Sequence, residues 1–167
     1  MKAFHITETG SFMAKLLSGS SFDAFLMEEA SIHMAVLWQA DGHLNRDFYT
    51  AQEWENREER PYDLAQWEEV RPDFRSIIKG TRVPASFRFV LHLKPEAAAA
   101  LLKAAAPETA ADNVAAMVLT IRYDEKGVIL VTGLSVRSFS VDRTPEKVWD
   151  EAVQNFLASK EIAFEPL

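Results

Sequence analysis

"SIIKGTRVPASFRFVLHL", residues 76–93, runs from a helix end through a basic turn into a strand. Gly80 reads as the helix terminator, since the position just past a helix end favours the left-handed conformation that glycine adopts freely. Pro84 cannot continue a helix and introduces the next element. From there Phe87, Phe89, Leu91 and Leu93 alternate with Ser86, Arg88, Val90 and His92. Period two of this kind marks a strand with one buried face. Met117, Leu119, Ile121 and Tyr123 alternate in the same way with Val118, Thr120 and Arg122.

The flanking segments read as helices and turns. Pro95 followed by EAAAALLKAAA predicts a helix that ends near Pro107. Thr144 as N-cap and Pro145 at N1 predict a last helix with Val148, Trp149, Ala152 and Phe156 on one face. Around Trp67 the pattern predicts a short turn, then a helix from Pro72 that buries Phe74, Ile77 and Ile78. Asp41-Gly42 and the segment from Asp124 to Gly127 carry hairpin chemistry, with glycine supplying positive φ. Ser18 to Ser21, with Gly19, punctuate the chain between a first helix and the next strand.

A gap-free offset of 85 residues sets Phe4 on Phe89, Ile6 on Leu91, Leu16 on Leu101, Ile32 on Met117 and Gly42 on Gly127. At an offset of 82, WEEVRPDF from Trp67 meets WDEAVQNF from Trp149. The expectation is a duplicated strand–helix–strand–strand(–strand)–helix unit. Strands joined by hairpins with helices packed on one side indicate an α+β fold around a mainly antiparallel sheet. The chain reads as one domain over residues 1–167 with pseudo-repeats at about 1–80 and 81–167, and with Trp67 and Trp149 buried comparably.

Length supports one domain, or two small halves sharing a core; eleven Phe and four Trp can fill it. No apolar run reaches the ~18 residues of a membrane span. MKAFHITETGSF lacks the apolar core and cleavage site of a signal peptide. Without cysteine there is no disulfide, thiolate metal site or thiol nucleophile. The expectation is a cytoplasmic protein of bacterial type without a membrane association. A net charge of −7 argues against a surface that embraces nucleic acid as a whole, but leaves room for a local basic face.

Catalytic signatures are sparse. His5, His33, His43 and His92 form no metal-binding pair on a shared face, so no metal site is expected. No Gly-x-Ser-x-Gly elbow, Walker pattern or glycine-rich dinucleotide loop occurs, and no cofactor is expected. The paired acids Glu28-Glu29, Glu58-Glu59 and Glu68-Glu69 diverge on either a strand or a helix.

Charge segregation is the feature left over. Residues 53–69, EWENREERPYDLAQWEE, hold seven acids and two arginines and read as a solvated face. Five cations follow, Arg71, Arg75, Lys79, Arg82 and Arg88, with Asp73 the one acid among them. Lys79 and Arg82 near a helix C-terminus are explained by the helix dipole, worth ~0.3–1 kcal/mol each. The alternative is a site for an anionic ligand or a protein partner. Nucleic acid is weakly supported, because no aromatic is interleaved on that polar face to stack a base.

FMAKLLSGSSFDAFLMEEA, the Asp41-Gly42 turn, RPDFRSIIKGTRVPASF and the SFSVD…VWDEAVQNFL ending resemble a bacterial family catalogued only as a domain of unknown function. The resemblance implies a stand-alone domain and transfers no activity. A looser, architectural resemblance is to the repeats of DNA sliding clamps, whose helices face the duplex; here Lys15 and Lys103 would supply only a thin positive lining. The sequence therefore points to a non-enzymatic binding module for a protein or an anionic ligand. The alternative is a hydrolase or transferase whose site is assembled between the two halves.

Overall fold

Eight strands form one sheet in the computed structural model, which describes residues 1–80, 82–109 and 111–167. The strands are β1 (Ala3–Ile6), β2 (Phe25–His33), β3 (Leu37–Asp41), β4 (Ala65–Gln66), β5 (Ser86–Leu93), β6 (Val114–Asp124), β7 (Gly127–Val136) and β8 (Phe164–Pro166). Their order is β3-β2-β5-β6-β7-β1-β8, with β4 against the end of β2 that β3 leaves open, and the pairing is antiparallel throughout. The helices are α1 (Thr9–Leu17), α2 (Ala51–Glu55), α3 (Trp67–Ile78), α4 (Pro95–Ala105) and α5 (Thr144–Ser159). The fold is α+β with a sheet core, as the alternation in residues 86–93 predicts.

The alternating apolar residues do meet one core. Phe4, Phe89, Leu91, Met117, Leu119, Ile121 and Leu130 are fully buried on one sheet face. Onto them pack Phe12 and Leu16 from α1, Trp67 and Phe74 from α3, and Val153 and Leu157 from α5. Burying each such side chain contributes ~1.5–3 kcal/mol. Both halves of the chain feed this cluster. Trp67 lies edge-on to Phe89 at 5.2 Å and stacks on Phe74 at 5.6 Å. Its indole N–H donates to the carbonyl of Leu16, and that of Trp149 to the carbonyl of Val118. Both tryptophans are buried, as expected.

The duplicated unit is not confirmed, and three local readings are corrected. Strand, helix, hairpin and helix recur in order, but β5 pairs with β6 of its own half, whereas β5, β6 and β7 separate β1 from β2. The first hairpin turns at Met34–Val36, not at Asp41-Gly42, and the offset of 85 would set that turn inside β6. α3 is continuous from Trp67 and carries Pro72 inside it, in place of a turn followed by a helix. The ring costs one main-chain bond, and stacked Trp67 and Phe74 hold the first turns on the sheet. α5 begins at Thr144 with Arg143 at the cap position, and the Asp142 carboxylate accepts from the Thr144 N–H.

Gly127 fits its expectation, sitting after the β6–β7 turn at φ +97°. Among the described residues no helix is long and apolar enough to cross a membrane.

Candidate functional site

Met27 pairs with Leu91 and Glu29 with Val90, so Glu28 is an extra residue in β2, a β-bulge. Bulges turn a side chain away from the regular alternation. Here the Glu28 carboxylate reaches the imidazole of His92 on the neighbouring strand, with Nε2 and Oε2 2.7 Å apart. Gly42 locks the bulge from the other side. Its N–H donates to the Glu28 carbonyl at 2.8 Å, and a Cβ placed there would lie 1.7 Å from the Met27 carbonyl oxygen. Close approach, not turn geometry, demands glycine at this position.

His92 opens onto a cleft of about 430 Å³ between the start of β2, the end of β5, α4 and the segment 61–64. Leu26, Leu64, Leu93, Leu102 and Val114 line it with apolar surface. Ala98 and Ala99 of the alanine-rich α4 also face it, and their small side chains leave the space open. Tyr62, Asp63, His92, Asp112 and Arg137 supply the polar part of the lining. Residues of both halves contribute.

Arg60 organises one wall. Only 4% exposed, it donates through Nε and Nη2 to the Trp54 carbonyl and through Nη1 to the Tyr62 carbonyl and the Asp63 carboxylate. Its guanidinium lies 3.6 Å over the Trp54 ring. A planar fork with five donors suits this task, which a lysine could not perform. Hydrogen bonds from Arg60 and then Arg57 hold the Asp63 carboxyl below its ordinary value. Tyr62 latches the wall to the start of α4: its hydroxyl donates to Glu96, and Lys94 Nζ lies 5.5 Å from its ring. Burial and the Glu96 carboxylate push the Tyr62 phenol up to about 12, so the latch keeps its proton across the neutral range. The same bond holds Glu96 below the usual carboxylate value. Across the cleft, Arg137 Nη1 donates to the carbonyls of Asp112 and Val114. Its Nη2 makes no hydrogen bond among the described residues.

The five cations read from the sequence fall into separate environments. Arg71, 18% exposed, pairs with Asp23. Arg75, Lys79 and Arg82 are exposed at the end of α3 and beyond it. Arg88 lies on the opposite sheet face from α3, because its neighbour Phe89 points at Trp67 and Phe74. Arg88 pairs there with Glu29 at 2.8 Å. So Arg75, Lys79 and Arg82 share one region, and Arg71 and Arg88 do not join them. Directly across from Arg88 stands Arg122, which lies outside the basic run read from the sequence. The Lys15 ammonium donates to the carbonyls of Lys160 and Glu161 at the end of α5.

Tyr62 and Arg137 of the cleft lining, Arg60 behind its wall and the Glu28–His92 pair also escaped the sequence reading. A glutamate next to another glutamate gives no sign of a bulge, and the local sequence around Arg60 is that of a solvated charged face. No cluster of three or more metal-binding side chains occurs among the described residues.

Residues 15–165 match the model of a family of unknown function, DUF5721. The chain belongs to the DUF5721 family. The matched span contains every residue that lines the cleft and leaves β1 outside. No curated protein and no solved structure matches the chain, and the sliding-clamp likeness is not shown.

Proposed function

We propose that this DUF5721 chain is a non-enzymatic binding module whose ligand occupies the cleft beside His92. The ligand is an anionic molecule with an apolar body. The body lies against Leu26, Leu93 and Leu102, and the anionic end meets Arg137.

One observation carries this reading: an apolar-floored cleft of about 430 Å³ with a few polar groups placed around it. Ligand sites of ~300–1,000 Å³ have this make-up, mostly apolar with a small number of orienting polar groups. The buried fork of Arg60 and the Tyr62–Glu96 latch fix the wall before any ligand arrives, which reduces the ordering cost of binding. Arg137, with Nη2 unused, offers the fork geometry that carboxylates and phosphates prefer.

Calorimetric titration with decanoate tests the reading, with decanol as the uncharged control. Decanoate is expected to bind more tightly than decanol, and Ala98→Phe, which fills the space in front of α4, is expected to abolish both. Equal heats from the wild type and the Ala98→Phe variant would overturn it.

The Glu28–His92 pair favours a second reading, a hydrolase that uses a water molecule as nucleophile. A carboxylate that orients an imidazole is the arrangement of a general base. Among the described residues that line the cleft there is no serine, cysteine or lysine to attack a substrate directly. Turnover of decanoyl esters that falls in Glu28→Gln would replace the binding reading with this one.

A further inference from the structure

β3 is an end strand of the sheet, and Asp41 at its last position is the one charged residue on it. It has five residues, LWQAD, without lysine or proline, and leaves Leu37 53% and Trp38 49% exposed. The opposite edge, β8, is three residues long and ends in Pro166.

Which main-chain groups face outward follows from two hydrogen bonds. The Gly42 N–H turns inward to the Glu28 carbonyl, and the Val36 carbonyl turns inward to the Met34 N–H. Direction alternates along a strand, so Trp38 and Ala40 also turn inward towards β2. Leu37, Gln39 and Asp41 therefore present their N–H and C=O groups to the free edge.

We infer that β3 pairs antiparallel with β3 of a second copy of this chain, about a twofold axis through Gln39. This register alone uses every outward group: Gln39 meets Gln39, and Leu37 of each copy meets Asp41 of the other. Each of these pairs exchanges both of its N–H···O bonds. Trp38 then stands beside Ala40 of the other copy on the same face, a large side chain against a small one. The antiparallel sense sets Asp41 of each copy at the Leu37 end of its mate, away from the other Asp41, and such an isologous contact closes at two copies.

Sedimentation velocity across the micromolar range tests the inference. The wild type is expected to pass from monomer to dimer as concentration rises. Gln39→Pro removes an outward N–H that no bond inside the monomer uses, so it is expected to keep the melting temperature and lose the dimer. Leu37→Lys, a charge on the edge that needs no backbone change, is expected to do the same and decides the matter if Gln39→Pro misfolds. A wild type that stays monomeric throughout, a dimer undiminished in Leu37→Lys, or open-ended growth beyond two copies would each overturn it.

Discussion

The Glu28 carboxylate and the His92 imidazole meet at 2.7 Å although 64 residues separate them along the chain. What brings them together is a single extra residue in β2, and what holds that residue is Gly42. The same bulge thus connects a backbone requirement at one position to the chemistry of the cleft at another.

Gly42→Ala tests this dependence. Its Cβ would overlap the Met27 carbonyl, so β3 must move away from β2 or the bulge must be lost. Chemical denaturation is expected to show a loss of ~3 kcal/mol or more, the upper range for single substitutions that overpack a rigid site. A loss below ~1 kcal/mol would show that the bulge can relax without it.

The two indoles should weigh about equally. Trp67→Ala and Trp149→Ala each remove a buried ring and leave a carbonyl, of Leu16 or Val118, without its donor. Each is expected to cost ~3–5 kcal/mol in urea denaturation. The Phe variants keep most of the ring volume, and their smaller cost reports on the lost hydrogen bond, ~1–3 kcal/mol.

The wall of the cleft should loosen in acid. Arg60 and Arg57 depress the Asp63 carboxyl, whose ordinary value is 3.8. A depressed carboxyl adds stability above its unfolded pKa and loses it as pH falls through the lower folded value. Asp63→Asn is therefore expected to be less stable than the wild type at pH 7, by ~0.2–1 kcal/mol for so exposed an acid. The difference should vanish once pH falls below the folded value. Thermal melts of both proteins from neutral to strongly acidic pH check the convergence; a constant gap would assign the effect to something other than ionisation.

Reversing the charges at the end of α3 separates the two candidate anion surfaces. Arg75, Lys79 and Arg82 replaced together by Glu should leave decanoate affinity within about twofold of the wild type, since those side chains lie away from the cleft and long-range effects are screened at physiological salt. A tenfold loss, ~1.4 kcal/mol, would move the anion site to α3.

Much of the architecture is legible in residues 86–93 and 117–123, where period-two alternation reports directly which face is buried. α4 and α5 are legible for a similar reason, their composition and proline placement being local properties. The errors arise where distant parts of the chain decide. Asp-Gly is strong hairpin chemistry, yet Met34–Val36 turns the chain and Gly42 answers a close approach to β2. Pro72 breaks the local helix pattern, yet the core contacts of Trp67 and Phe74 keep α3 whole. Matching hydrophobic patterns suggested a duplicated unit, but such patterns carry no information about which strand lies beside which, and β1 sits next to β7. The basic run from Arg71 to Arg88 looked continuous because sequence does not show that a sheet stands between its members.

The most direct measurement of the central claim is an amide NMR titration with decanoate. If the cleft is the ligand site, saturating shifts will cluster at Leu64, His92, Ala98 and Val114, and the amides of Arg75 and Lys79 will stay in place. Saturating shifts centred on the end of α3, or none anywhere at millimolar ligand, would contradict it.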